Sequence, residues 1–331
     1  MKMLASLSLD LDNQWSYMKT HGDAGWDSYP SYLDVVVPRV LDFLAARGLR
    51  ITFFVVGQDA ALDRNHDALA ALSRAGHEIG NHSFRHEPWL HLYSEAELEK
   101  ELTRAEDAIE SATGVHPTGF RGPGYSLSET TLRVLVRRGY RYDASTLPTY
   151  LGPLARAFYF RSARLDDEQR RERSQLFGTW RDGARPVGPY RWSVDGTTLL
   201  ELPVTTMPVA KVPIHVSYLL YLSAYSPALA RAYFRGALAM CRAARVGPSI
   251  LLHPLDFLAA DDVDALAFFP GMDLPLPRKL DTVAMSLDLL TNAFDVRPVG
   301  EHAAALDART DLRTVQPRFD YVPEHDGAVS R

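Results

Sequence analysis

The 331-residue chain has a single cysteine, Cys241. One thiol excludes an internal disulfide and a zinc site built on cysteines. Within AMCRAAR, a helical pattern, Cys241 reads as a buried bystander rather than a nucleophile. No run of about 18 apolar residues occurs, so no transmembrane helix is expected. Asp10 arrives before any apolar stretch long enough for a signal peptide, and a cytoplasmic location is the resulting expectation. Positive charge is not in excess: 36 Lys and Arg face 41 Asp and Glu, a formal net charge of −5. That balance gives no electrostatic case for nucleic acid or an anionic membrane as partner. No G-x-G-x-x-G follows a strand pattern, which weakens a nucleotide-binding reading. There is no internal repeat.

What is present is an ordinary globular composition, 46% hydrophobic and 23% charged, sufficient for a large core. The first half alternates short apolar runs with helical spacing. Strands are expected at Met3–Leu9, Ile51–Val56, His77–Gly80, around Gly119 and at Tyr140–Asp143. Helices are expected at Tyr32–Arg47, Asp67–Ala75, Ser94–Thr113 and Glu129–Arg138. Ser94 and Glu97 form an S-x-x-E capping box at the start of the third helix. Strand and helix in alternation argue for parallel βαβ units. The rhythm breaks at Thr149–Thr198, where a charged stretch (RLDDEQRRERSQ) precedes an aromatic, Gly- and Pro-rich one (FGTWRDGARPVGPYRW). It returns with Leu199–Val204, helices around Pro227–Arg245 and Lys279–Phe294, and the strand Ser249–His253. An α/β barrel commonly fills about 200–250 residues as one unit. The expected organisation is therefore one barrel over residues 1–300 with an insertion at 149–198, then a polar tail at 301–331.

The polar residues of interest stand at the C-terminal ends of these strands: Asp10 and Asp12, His82 and His86, Arg121, Asp143, and His253. In a barrel those ends share one face, where active sites lie. In HSFRH, a helical turn would put His82 and His86 on one side, and imidazoles with a carboxylate suit a divalent metal such as zinc. Exposed loop histidines are the plainer reading of H-x-x-x-H alone. Asp10 and Asp12, two residues apart on a strand, point the same way. Their repulsion is resolved if a metal takes one and a guanidinium faces the other; an Asp-rich turn is the alternative.

Together these segments resemble the NodB-type polysaccharide deacetylases. SLDLDN is similar to the family's first motif in a D-x-D form, HSFRH to its H-S-x-x-H motif, FRGPGY to R-x-P, YDAS to the fourth motif and LLHP to L-x-H, in the family's order. ITFFVVG resembles the strand before the metal motif. The likeness spans about residues 4–145 and resumes near 249–257. It implies a distorted (β/α) barrel of about seven parallel strands. It also implies a divalent metal, zinc or similar, on Asp12, His82 and His86. In the implied reaction Asp10 is the general base, Arg121 its partner, His253 the proton donor to the leaving amine and Asp143 the residue that orients His253. The backbone N–H of Tyr125 is implied for the oxyanion, although Gly124 displaces that position. The implied activity is deacylation of an N-acylated amino sugar.

The sequence departs from the family where DASTLPTY lacks the usual tryptophan, and in the insertion. Trp180, Tyr190 and Trp192 read as pins between insertion and barrel, with sugar stacking as the alternative. Arg181, Arg185 and Arg191 read as solvated, or as contacts for a phosphate. Asp256 competes with Asp143 as the carboxylate behind His253, or is only a helix cap. Three other functional readings stand beside the main one: a cytoplasmic amidohydrolase acting on a small non-sugar amide, an enzyme for a lipid-linked saccharide entering past the apolar stretch Val216–Phe234, and a non-catalytic carbohydrate-binding relic.

Overall fold

Alternation along the first strand sets the architecture. In β1 (Leu4–Leu11), Ala5, Leu7, Leu9 and Leu11 face one side, and Ser6, Ser8 and Asp10 the other, all buried. A strand buried on both faces belongs inside a layered α/β structure. In the computed structural model, which describes residues 2–152 and 181–319, helices cover the apolar side and polar groups line the other.

The chain continues through α1 (Gln14–His21), α2 (Leu33–Ala45), β2 (Thr52–Val55), α3 (Gly57–Ala60), α4 (His66–Arg74), β3 (Glu78–Asn81), α5 (Glu95–Thr113), β4 (Gly119–Phe120), α6 (Glu129–Arg137) and β5 (Tyr142–Asp143). Strands β6 (Tyr190–Val194) and β7 (Thr197–Glu201) form a hairpin. Then come α7 (Val216–Tyr225), α8 (Pro227–Ala243), β8 (Ser249–Leu252), α9 (Leu276–Ala293), β9 (Asp295–Arg297), α10 (Val299–Asp307) and β10 (Thr314–Val315). The sheet runs β10-β6-β7-β5-β4-β3-β2-β1-β8, with β9 also paired to β1. Every ladder is parallel except β6 with β7.

The expectation of about seven strands is corrected to ten. The added ones are short or antiparallel, and so carry little βαβ signal. Closure into a barrel is not shown. Among the described residues the two end strands share no ladder. Beyond β7, the Thr205 N–H donates to the Ser249 carbonyl at 2.9 Å, and the Thr205 hydroxyl accepts from the Ser249 N–H at 2.8 Å.

Two boundaries also change. Residues 301–331 are not simply a tail: α10 packs against the inner side of the sheet and β10 extends it. The start of α10 is held from across the sheet, where Thr52 Oγ1 accepts from Val299 N and Glu78 Oε2 from Gly300 N. Residues 190–198 are sheet rather than insertion. Tyr190 and Trp192 are buried in it, as pins would be, while Trp180 and the charged run lie outside the described residues.

The largest core lies between the outer sheet face and α2, α4, α5, α8 and α9, with Phe53, Leu72, Ile109, Phe234 and Leu287 all essentially inaccessible. Truncating such a side chain to Ala costs about 2–5 kcal/mol. The Ser94–Glu97 capping box starts α5 as expected. Among the described residues, no helix is long and apolar enough to cross a membrane.

Candidate metal centre and active-site cavity

All five strand-end positions converge on one end of the sheet. Asp12 follows β1, His82 follows β3, Arg121 follows β4, Asp143 ends β5 and His253 follows β8. Ligand atoms of Asp12, His82 and His86 lie within 4.8 Å of one another, all three residues buried. Asp12 Oδ1 is 2.9 Å from His86 Nε2 and 3.3 Å from His82 Nε2.

The loop holding the histidines is not the helical turn that H-x-x-x-H suggested. Ser83 and His86 have φ of 61° and 52°, and the loop is cinched from outside. Glu101 of α5 accepts from the N–H groups of Phe84 (3.0 Å) and Arg85 (2.6 Å), Ser83 Oγ accepts from His86 N, and Asn81 Oδ1 accepts from Ser83 N. Behind it, Gly57 donates to the Ser83 carbonyl. A side chain at Gly57 would come within 2.7 Å of the Ala105 backbone, so the close packing of α3 on α5 requires glycine there.

Hydrogen bonding around the triad fits a cation. Asp12 Oδ1 and both ring nitrogens of His86 are buried without a hydrogen-bond partner, which is rare unless something else binds them. His82 Nδ1 lies 2.6 Å from the Arg121 carbonyl. That bond fixes Nδ1 as the donor and turns the Nε2 lone pair toward Asp12. Burial opposes ionisation of Asp12, but the two imidazoles outweigh it and hold its carboxyl well below the ordinary range. Burial likewise disfavours charge on His82, yet Asp10 and Asp12 together raise its basicity. The cluster therefore calls for positive charge, which a divalent ion supplies in place of protons.

Asp10 sits apart from the triad on the guanidinium of Arg121. Nη1 of Arg121 donates to Asp10 Oδ1 at 2.7 Å and to Ser8 Oγ at 2.8 Å, and Nε donates to the Ala144 carbonyl at 2.9 Å. The pairing expected of these two residues is present. The Tyr125 amide is placed otherwise than the resemblance implied. Gly124 (φ 57°) lets residues 123–125 close a 3₁₀ turn, in which the Tyr125 N–H donates to the Gly122 carbonyl at 3.0 Å. That amide is occupied within the turn. Tyr125 still lines the cavity.

Asp143 also differs from expectation. Its carboxylate accepts from Ser145 Oγ at 2.5 Å and faces Glu201, its register partner on β7. Burial raises the Asp143 carboxyl, and burial and then Asp143 push that of Glu201 well above the ordinary range. The residue behind His253 is Asp256, through Ser217. The Ser217 hydroxyl lies 3.0 Å from His253 Nδ1 and donates to Asp256 Oδ1 at 2.7 Å, while Asp256 Oδ2 accepts from His253 N at 2.8 Å. Asp256 is thus both a cap and, by way of Ser217, the anchor of the imidazole.

A cavity of about 600 Å³ opens above these groups. Asp12, Tyr125, His215, Ser217 and His253 are among its polar lining residues, and Leu127, Leu147, Leu151, Leu220, Leu255 and Phe269 among its apolar ones. Arg181, Arg185 and Arg318 also line it. Arg185 pairs with Asp182 at 3.0 Å. Arg191 is elsewhere, donating to the Asp307 carbonyl. Sequence reasoning missed Tyr17, Glu101, His215, Ser217 and Lys279. Lys279, buried, donates to the Leu255 and Leu258 carbonyls and so fixes the turn after His253. Of these only Ser217 and His215 carried a signal, as polar residues at the head of an apolar helix pattern.

Fold and site together define an α/β protein with a candidate Asp-His-His metal centre in a substrate-sized cavity. The polysaccharide deacetylase family model matches residues 23–142, and the resemblance to the NodB-type deacetylases is shown over that segment. The chain is 26% identical over 152 residues to a peptidoglycan deacetylase of Helicobacter pylori, covering 44% of this chain and 50% of that protein. It is 29% identical over 111 residues to a chitin deacetylase of Pestalotiopsis sp, covering 33% and 37%. The chain thus spans half or less of these curated relatives. A Mycobacterium smegmatis crystal structure, described as a candidate polysaccharide deacetylase, superposes with a TM-score of 0.61 at 22% identity, covering 97% of this chain and 96% of that one. This likeness shows the fold.

Proposed function

We propose that the protein is a metal-dependent hydrolase that removes an acyl group from the nitrogen of an amino sugar, breaking a non-peptide C–N bond. The observation that carries this reading is the buried Asp12–His82–His86 triad with unpartnered ligand atoms, set beside a carboxylate held on a separate guanidinium. The deacetylase names of the relatives support it.

Asp12, His82 and His86 would hold a divalent ion, zinc by its affinity for imidazole and carboxylate. Such an ion acidifies water and polarises an amide carbonyl. Asp10 takes the proton of the attacking water, and Arg121 holds its carboxylate in place. An amine leaves only once protonated, and His253 delivers that proton. Ser217 and Asp256 hold the His253 ring in place. Asp143 works at a distance: Ser145, bonded to it, accepts from Gly122 N at 2.8 Å and so fixes the loop after Arg121.

The test separates base from acid. Asp10→Asn and His253→Ala should both keep about one equivalent of metal by elemental analysis. Asp10→Asn should lose about 10²–10⁴-fold in kcat on sugar amides and on esters alike. His253→Ala should lose far more on an amide than on 4-nitrophenyl acetate, whose alcohol leaves unprotonated. Full turnover in a strong chelator, with no metal detected, would refute the mechanism.

The cavity favours a short substrate. Its volume is that of a mono- or disaccharide site, and Leu147, Leu151 and the arginine-bearing segment wall it. An intracellular substrate, such as a nucleotide-linked or lipid-linked amino sugar or a small glycoside, fits the cytoplasmic location that we propose with it. Arg181, Arg185 and Arg318 stand where a phosphate of such a substrate would be bound.

A further inference from the structure

The loop that carries Asp12 away from β1 is tied to a buried carboxylate that the reaction above does not use. Asp59, on the short helix α3, is 1% exposed. Its Oδ1 accepts from Asn13 Nδ2 at 2.7 Å and from Trp15 Nε1 at 2.9 Å. Both donors are buried, and both belong to the three residues that follow Asp12. Asn13 Oδ1 in turn accepts from Gln14 N at 2.8 Å and Tyr32 N at 3.1 Å, and the Tyr32 hydroxyl donates to the Asp12 carbonyl at 2.6 Å. Asp59 is itself anchored by Asn65, whose Nδ2 donates to its carbonyl at 3.0 Å. The same helix holds the histidine loop, because Gly57 N and Gln58 N donate to the Ser83 and Phe84 carbonyls at 2.8 and 2.9 Å. The loops after β1 and β3 therefore meet on α3.

The two histidines are steered differently. His82 has the Arg121 carbonyl at Nδ1. His86 has no hydrogen-bond partner at Nδ1, and its ring meets the Trp15 ring edge to face, at 6.5 Å and 81°. The indole packed against His86 is the one that Asp59 holds. We propose that Asp59 is a positioning residue for the metal centre, setting Asp12 through Asn13 and His86 through Trp15 while His82 is left to Arg121. This rests on the metal-dependent reading above. Groups behind the ligands fix their direction, and removing one costs about 10–100-fold in metal affinity. A single oxygen makes both bonds, since Asp59 Oδ2 has no partner. The carbonyl of an asparagine can therefore replace the carboxylate, and a leucine cannot.

The experiment measures zinc Kd on the full chain, by competition with a chromophoric chelator, for wild type, Asp59→Leu, Asp59→Asn, Trp15→Phe and Leu287→Ala. Urea midpoints without metal are measured in parallel. Asp59→Leu should weaken zinc binding about 10–100-fold, and Asp59→Asn should recover most of that loss. Trp15→Phe keeps a ring at that place but gives up the bond to Asp59, and should weaken binding about 10-fold. It decides the matter if Asp59→Leu does not fold. Leu287→Ala, a truncation in the largest core, should lower the urea midpoint and leave zinc Kd unchanged. Unchanged Kd in Asp59→Leu or Trp15→Phe would overturn the assignment, as would a loss of the same size in Leu287→Ala. An Asp59→Asn no better than Asp59→Leu would overturn it too. If wild type binds no zinc, the metal-dependent reading fails and the assignment with it. Zinc binding by wild type with unaffected variants removes the assignment alone.

Discussion

Replacing Arg121 with Met tests whether the site is built around a buried ion pair. Arg121 is inaccessible to solvent, and its guanidinium lies 4.4 Å above the Phe54 ring. Met keeps most of the aliphatic stem and removes every donor. The charge-assisted bond to Asp10 contributes about 1.5–3 kcal/mol net, and an orphaned Ala144 carbonyl costs about 1–3 kcal/mol. Breaking a buried pair from one side costs about 3–5 kcal/mol, which falls within the range of that sum, so we expect about 4 kcal/mol. With 331 residues and an unfolding entropy of about 2.1 cal/mol/K per residue, the Tm should fall by about 6 °C. The assay is urea unfolding of wild type, Arg121→Met, Asp10→Asn and the double variant, all without metal. If the pair is real, the double variant is more stable than the two single losses predict, by about 1.5–3 kcal/mol. A coupling below about 0.5 kcal/mol is the additivity of independent sites and would refute the reasoning, whatever the effect on turnover.

Two further outcomes follow. His302, 3% exposed, has its imidazole pushed down to about 4 by burial. Between pH 4 and 6.5 the unfolded chain binds a proton that the native one does not, so stability rises with pH across that window. The gap is worth about 3 kcal/mol at about 1.36 kcal/mol per pH unit. His302→Gln should flatten the change in urea midpoint between pH 4.5 and 7, and an unchanged slope would place the acid sensitivity elsewhere. Acetate release should be faster from mono- and disaccharide N-acetyl substrates than from insoluble chitin or peptidoglycan, and a preference for polymer would defeat the short-substrate reading.

The parts of the fold legible in the sequence are those with local causes. The Leu/Ser-Asp alternation of β1, the β-branched and aromatic TFFV of β2 and the Ser94–Glu97 cap each announce an element through neighbouring residues. Strand β6 hid inside a segment whose Gly, Pro and aromatics read as a packed loop, whereas β7 overlaps Leu199–Val204, where regular structure was expected to return. Strands β9 and β10 are three and two residues long, too short for a period to show. At the site, the residue types at strand ends were legible, and the partner of each was not. That Arg121 reaches Asp10 across 111 residues was expected from a family likeness. That His253 leans on Ser217 and Asp256, while Tyr125 spends its amide on Gly122, depends on how two tight turns close.

The carboxyl pair at the end of β5 shows how such turns are tied back to the sheet. Asp143 and Glu201 face each other in register on adjacent parallel strands, where two charges would repel. Burial and then Asp143 push the Glu201 carboxyl well above the ordinary range, and Trp192 Nε1 and Thr146 Oγ1 donate to Glu201 at 2.9 and 2.6 Å. Asp143 accepts from Ser145, and Ser145 accepts from the amide of Gly122. Gly122 directly follows Arg121, whose carbonyl orients His82 and whose guanidinium holds Asp10. A buried acid on β7 therefore constrains, through β5 and β4, both a histidine of the candidate metal triad and the carboxylate proposed as base. Charge at this end of the sheet is thus arranged as one connected network. This accounts for Asp143 standing at the expected strand end without touching His253.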